Sequence, residues 1–317
     1  MTFGVESARD WAGVPSMIIV EQLRKSYGDV VAVDGISFEV REGEIFGMVG
    51  PNGAGKSTTI ESLQGLRVPD SGKISVLGLD PTRQPYELHQ HIGVQLQSAA
   101  LPERLKVWET LDLFASFYRY SVDWRELLPV MGLEDKRDAF VNELSGGQRQ
   151  RVFIALALVN DPDVVFLDEL TTSLDPQARR AMWDLVRGVR ARGKTVVLTT
   201  HFMEEAERLC DRVAIIDEGL LVALDSVGNL INSLGEEYRI TLKADGRPDL
   251  TAVADVPGVV RVEQIGDRVV ISARGSGVVG PVTSALEEHK LPLRDLQVEE
   301  PTLEDVFLSL TGKEMRE

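Results

Sequence analysis

Cysteine is almost missing from this chain: Cys210 is the one cysteine in 317 residues. That excludes an intrachain disulfide and a cluster of thiolate metal ligands. Met203, Ala206 and Leu209 recur at helical spacing before it, so a buried structural thiol in a reducing compartment is expected. Basic charge is also scarce. Lys and Arg number 34 against 50 Asp and Glu, a net charge of −16. Nucleic-acid binding needs the opposite balance, and the acidity reads as solubility. Long apolar runs are missing as well. The longest, Phe153 to Val159, falls far short of the ~18 residues of a membrane helix. Met1 to Ser16 carries Glu6, Arg9 and Asp10 with no long apolar stretch, and reads as a loose tail rather than a signal peptide. The expectation is a cytosolic chain that meets a membrane only through a partner. Internal repeats and low-complexity segments are absent too.

What is present is an ordinary globular composition, 43% hydrophobic and 26% charged, with length enough for two domains. The most informative stretch is Gly50-Pro51-Asn52-Gly53-Ala54-Gly55-Lys56-Ser57, which fits the G-x-x-x-x-G-K-[ST] phosphate loop. A short apolar strand (Glu44 to Val49) precedes it, and Lys56-Ser57-Thr58-Thr59-Ile60 reads as a helix start. Between the two, Gly53 and Gly55 let backbone N–H groups curl toward an anion. The helix start adds unpaired N–H groups and a positive dipole end. Lys56 would reach the β and γ phosphates, and the Ser57 hydroxyl would ligate Mg²⁺.

Strand-like and helical segments alternate, which implies a parallel sheet with covering helices. A helical stretch of about residues 101–143 interrupts the alternation, with Val107, Leu111, Phe114 and Phe117 on one helical face and a second helix from Trp124 to Met131 stopped near Gly132. After Leu234 the order becomes β-α-β-β-α-β, a split ferredoxin-like pattern, with a short helix candidate at Asp249 to Asp255 and a last helix from Leu303 to Leu310. The expected organisation is a tail (1–16), an α/β nucleotide-binding domain (17–234) and a small α+β accessory domain (235–317).

Two further constellations carry chemistry. Val164-Val165-Phe166-Leu167-Asp168-Glu169 is an apolar strand ending in two carboxylates. The first can hold Mg²⁺ beside a phosphate loop and the second can take a proton from an attacking water; alone, the pair also fits an acidic strand corner. Leu144-Ser145-Gly146-Gly147-Gln148 opens a helix, with Ser145 as N-cap and two glycines that let backbone approach an anion at the dipole's positive end.

Together these residues resemble the ATP-binding subunit of an ABC transporter, with matching order and spacing from Met17 to about Leu230. The resemblance implies ATP and Mg²⁺ as ligands, with Gly50–Ser57 and Thr58 as Walker A, Val164–Asp168 as Walker B, Glu169 as catalytic base and Leu144–Gln148 as signature. It implies further that Tyr27 stacks on adenine, although Tyr27 alone also fits a plain edge aromatic, that Gln97 joins the metal shell with Ser57 and Asp168, that His201 contacts the γ phosphate, and that Asp175 is the D-loop aspartate. Glu300-Pro301-Thr302-Leu303-Glu304-Asp305-Val306-Phe307 resembles the ending of ABC-2-type ATPases similar to the daunorubicin and multidrug exporters. Two residues depart from the family: Leu170 stands where Pro is usual and Ser173 where Gly is common. Hydrolysis that persists but is slowed is the expectation.

In the resembled family the signature completes the site of a second subunit. The implied partners are therefore a second ATPase subunit (the same chain or a homologue) and a separate integral-membrane permease reached through the helical segment, at the cytoplasmic face of the membrane, exporting a drug, lipid or other hydrophobic compound. The rival classes are a soluble translation or repair ATPase, a metabolic kinase and a nucleotide sensor. One cassette per chain, the lack of long coiled coils and the Leu144–Gln148 pentapeptide speak against the first two.

Overall fold

Alternating apolar residues make a half-buried ribbon of Ser16–Tyr27 (β1) and Val30–Arg41 (β2). Ile18, Val20 and Leu23 of β1 and Val33, Ile36, Phe38 and Val40 of β2 point into the core. The computed structural model describes residues 13–95, 101–102, 104–172, 174–235, 237–244, 250–289 and 294–313. It divides into two units, one running to Val227 and one beginning at Gly228.

In the first unit Ile45–Val49 (β3) is buried at every position and leads through the phosphate loop into Lys56–Leu63 (α1). Ser71–Val76 (β4) pairs with β1, giving an antiparallel sheet in the order β2-β1-β4. Next come Pro85–His91 (α2) and Ile92–Gln95 (β5), then Val107–Ala115 (α3), Trp124–Met131 (α4) and Gly146–Leu158 (α5). Val164–Asp168 (β6), Pro176–Ala191 (α6), Thr195–Thr200 (β7), Met203–Leu209 (α7), Arg212–Asp217 (β8) and Leu220–Ser226 (β9) follow, and Val227–Asn232 (α8) begins where the second unit does.

The second sheet runs β5-β6-β7-β3-β8-β9. Its first five strands are parallel neighbours and β9 is antiparallel to β8. Every residue of β3, β6 and β7 is buried, as expected of strands covered on both faces. The register sets Val49 beside Thr200 and Asp168 beside Thr199. The carboxyl ends of β3, β6 and β7 thus lie on one edge, where ligands bind in open α/β sheets.

Between β5 and β6 the helices form as their sequence suggests, with one correction. Val107 and Leu111 are buried on α3, but Phe117 lies beyond the helix end and is 61% exposed. The apolar face is one turn shorter than its spacing suggests, and the Phe117 ring packs edge-on against Phe114 at 5.6 Å. Gly132, at φ 61°, closes α4 in the left-handed conformation. Cys210 is buried just past α7. Its Sγ occupies the space a Cβ on Gly47 would need, 2.6 Å away, which ties β3 to the end of α7.

The second unit contains Glu237–Lys243 (β10), Thr251–Ala254 (α9), Val259–Ile265 (β11), Arg268–Arg274 (β12), Val279–Glu288 (α10), Arg294–Glu299 (β13) and Leu303–Thr311 (α11). Its antiparallel sheet runs β11-β12-β10-β13, the ferredoxin-like order the sequence pattern implies. Ile240, Leu242, Val269, Ile271 and Ala273 pack against Val253, Val282 and Leu286 of the two helices. Asp249 of the Asp249 to Asp255 helix candidate lies outside the described residues, and α9 covers Thr251–Ala254 of it.

Candidate active site

The loop between β3 and α1 is built on glycine backbone that other residues adopt at a cost. Gly53 has φ 82° with open space where a Cβ would stand, whereas a Cβ on Gly55, at φ 104°, would meet the Ala32 carbonyl oxygen at 2.3 Å. One glycine shapes the loop and the other lets it press against β2. The Lys56 ammonium is buried and donates to the Gly50 and Pro51 carbonyls at 2.7 and 2.9 Å. Burial pushes it below its ordinary value, and the Glu169 and Asp168 carboxylates oppose that shift. The first turn of α1 carries no acidic side chain, so its N-terminal N–H groups and dipole stay available to an anion.

Asp168 ends β6 and is buried. Burial raises its carboxyl above the usual carboxylate range, the Thr199 hydroxyl bond works against this, and nearby Glu169 adds to it. Thr199 is the residue that sequence reasoning passed over. Its Oγ1 donates to Asp168 Oδ1 and accepts from the Glu169 N–H, whose second acceptor is the Thr199 carbonyl at 3.1 Å. A hydroxyl on β7 therefore holds the Asp168 carboxylate and the backbone of Glu169 as the chain leaves β6. The only sequence signal was a threonine two residues before a candidate histidine.

Glu169 itself has φ 48°, a left-handed conformation that costs a non-glycine residue about 1 kcal/mol or more. Leu170 beside it is buried. The Glu169 side chain turns inward, and its Oε1 stands 3.5 Å from Nδ1 of His201. The His201 ring lies 4.1 Å from that of Phe202. Lys56, Asp168, Glu169 and His201 thus converge from three neighbouring strand ends.

The remaining candidates lie elsewhere. Ser145 caps α5 through a reciprocal pair: its Oγ accepts from the Gln148 N–H at 3.3 Å, and its own N–H donates to Gln148 Oε1 at 3.0 Å. Ser145 and Gly146 are exposed, Gly147 lies close to Ala178, and among the described residues no hydrogen bond or ion pair joins this segment to the Lys56 cluster. Asp175 caps α6, accepting from Gln177 and Ala178 N–H at 3.0 and 2.8 Å. Tyr27, at the end of β1, is 41% exposed, with the Lys25 ammonium and the Arg67 guanidinium 5.6 and 5.4 Å from its ring centre. Gln97 and Ser173 lie outside the described residues. His89 bonds to the Gln64 carbonyl at 2.8 Å, and no metal-competent cluster of His, Cys, Asp or Glu occurs among the described residues. Ser57 and Asp168 supply a hydroxyl and a carboxylate, hard oxygen donors of the kind Mg²⁺ takes.

A phosphate loop and its lysine facing two carboxylates across the carboxyl edge of a parallel sheet define a P-loop nucleotide hydrolase. Comparison with known proteins narrows the class. The family described as ABC transporter matches residues 33–172, and the C-terminal domain described as that of ATP-binding protein DrrA1-3-like matches residues 232–311. Nod factor export ATP-binding protein I of Ralstonia nicotianae is 41% identical over 313 residues, covering 96% of this chain and 97% of its own. Its namesake in Paraburkholderia xenovorans is 43% identical over 307 residues, covering 94% and 97%. Among solved structures, an ATP-binding subunit of an ABC transporter superposes with TM-score 0.63 at 30% identity, over 69% of this chain and 93% of that one. A bacterial ABC transporter cassette solved as a dimer gives TM-score 0.59 at 28% identity, over 66% and 98%. The chain belongs to the ATP-binding subunits of ABC transporters, and it is an ATPase. None of its described helices is long and apolar enough to cross a membrane.

Proposed function

We propose that this chain is the motor subunit of an exporter. Residues 17–234 form the ATPase domain, residues 235–317 an accessory domain that pairs subunits or regulates their closure, and a separate membrane permease carries the substrate. The convergence of Lys56, Asp168, Glu169 and His201 at one sheet edge carries the reading.

Residues Gly50–Thr58 cradle the triphosphate with backbone N–H groups, and Tyr27 stacks on the adenine. Lys56 swings from the Gly50 and Pro51 carbonyls onto the β and γ phosphates. Ser57, Asp168 and Gln97 would hold Mg²⁺, which would supply charge neutralisation on the phosphoryl oxygens. Glu169 takes the proton of the attacking water, and His201 donates a hydrogen bond toward the γ phosphate. Ser145, Gly146, Gly147, Gln148 and Asp175 face the triphosphate held by a second subunit, so that two chains enclose two nucleotides. The exposed, self-capped start of α5 suits that role, because it is complete without bonds to its own Lys56 cluster.

The relatives named for Nod factor export support an export direction, and a drug, lipid or other hydrophobic compound is the cargo of this reading. The subunit then sits at the cytoplasmic face of the membrane, held there by the permease. Coexpression with the permease of a neighbouring reading frame tests the whole reading. Membrane vesicles from such cells should move substrate only with ATP and only with intact Glu169. Transport that persists with Glu169→Gln would sink it.

A further inference from the structure

Arg67 has no part in the reading above, yet its guanidinium stands over the ring that is to receive the nucleobase. Tyr27 ends β1 at the tip of the β1–β2 hairpin, opposite Val30. Two residues beyond Val30, the Ala32 carbonyl presses on Gly55 of the phosphate loop. The hairpin tip therefore lies beside the loop that is to hold the phosphates, with the Tyr27 ring still open to solvent.

The short segment between α1 and β4 braces that tip. Asp70 accepts from the Lys25 ammonium at 2.8 Å and from the Ser26 N–H at 2.7 Å, and its own N–H donates to the Arg24 carbonyl at 2.9 Å. These three bonds pin the backbone that leads into Tyr27. Lys25 and Arg67 then set their cations within the range of attraction to the ring face. Arg67 is held in turn. Its Nε donates to Glu61 Oε2 at 2.6 Å, and its backbone N–H donates to the Glu61 carbonyl at 3.1 Å. Glu61 belongs to α1, the helix that Lys56 opens. One helix thus carries the phosphate lysine at its start and reaches the Tyr27 ring through Glu61 and Arg67.

A half-exposed ion pair such as Arg67–Glu61 adds little to stability. A guanidinium over an aromatic ring has another effect, because it stacks on the ring where an ammonium does not. A base that meets a ring already held in place binds without the cost of ordering it.

We propose that Arg67 is a positioning residue for the nucleobase: tethered to Glu61, it fixes the Tyr27 ring so that the base stacks on a preset surface. The inference rests on the reading of Tyr27 as the residue that stacks on adenine.

The full-length chain tests it with two ligands in the presence of Mg²⁺: ATP, and tripolyphosphate, which has the phosphates and no base. Calorimetry gives both affinities, steady-state hydrolysis gives KM and kcat for ATP, and a thermal melt checks folding. Arg67→Met should weaken ATP binding and raise KM about 3-fold, with kcat unchanged within about 2-fold. Tyr27→Leu should weaken ATP binding about 10-fold. The double variant should match Tyr27→Leu, because Arg67 acts only through the ring. Tripolyphosphate affinity should stay within about 2-fold in all three. A parallel loss of ATP and tripolyphosphate binding overturns the proposal, since Arg67 would then act as a charge on the phosphates. Multiplying effects in the double variant overturn it as well, since Arg67 would then touch the nucleotide by itself. Where Arg67→Met does not fold, Arg67→Gln decides by the same criteria. If Tyr27→Leu binds ATP as the wild type does, the stacking reading fails and the inference with it; if Tyr27→Leu weakens ATP binding and Arg67→Met does not, only the role of Arg67 fails.

Discussion

Nδ1 of His201 stands 3.5 Å from Oε1 of Glu169, and the two residues follow the adjacent parallel strands β7 and β6. The pair is slightly too open for a hydrogen bond, a spacing that substrate binding commonly tightens. His201→Ala should lower ATP turnover by about 10²-fold while nucleotide binding persists. Phosphate release under saturating ATP reads the first quantity, and equilibrium binding reads the second.

Glu169→Gln preserves the shape of the side chain and removes its basicity. Turnover should drop by about 10²-fold or more, and the protein should accumulate as an ATP-stabilised dimer in light scattering. A variant that remains monomeric under excess ATP-Mg²⁺ would count against the shared site.

Thr199→Val is nearly isosteric, yet it takes one donor from Asp168 and one acceptor from the Glu169 N–H. The Glu169 N–H keeps the Thr199 carbonyl, but the buried Asp168 oxygen loses its donor at a cost of about 1–3 kcal/mol, which urea unfolding should register. The Mg²⁺ concentration for half-maximal activity should also rise, because Asp168 is left without the hydroxyl that favours its charged form.

Gly55→Ala and Gly53→Ala should differ sharply. Both impose strain at positive φ, about 1–3 kcal/mol, but only the first drives a Cβ into the Ala32 carbonyl. Gly53→Ala should fold and bind nucleotide more weakly, whereas Gly55→Ala should lose stability as well. Comparison of their melting temperatures checks the order.

Cys210 is held protonated by burial, with Glu205, Asp211 and Glu44 adding to the shift. The folded thiol should resist an aromatic disulfide reagent at neutral pH and react once urea unfolds the chain. Its linkage to stability has a definite sign. Above the ordinary thiol range the unfolded state releases this proton and the native state keeps it, so stability falls as pH rises. The contribution approaches about 1.4 kcal/mol per pH unit, and Cys210→Ala should remove it from the alkaline limb.

The site was legible in sequence wherever its chemistry is local. Gly50–Ser57 and the Asp168-Glu169 corner each occupy consecutive residues, and the backbone that shapes them lies in the same few positions. Ser145 as N-cap was equally readable, since its partner Gln148 is three residues away. Thr199 was not readable. Its importance comes from strand register, which brings β7 beside β6. Phe117 failed for a related reason. Its spacing continues the helical stripe, but α3 ends at Ala115, and periodicity cannot register where a helix stops. The C-terminal strand order followed from its element order because each hairpin and crossover leaves few alternatives.

The self-contained cap on Ser145 has a genetic consequence. A chain whose Lys56 is disabled would still present an intact Ser145–Gln148 face to a partner, since that face draws no hydrogen bond from the lysine's surroundings. Crippled and normal copies would then assemble freely, and in an equal mixture only about a quarter of pairs would hold two sound copies. Such an allele should behave as dominant when expressed beside the wild type, whereas one that merely fails to fold should be recessive.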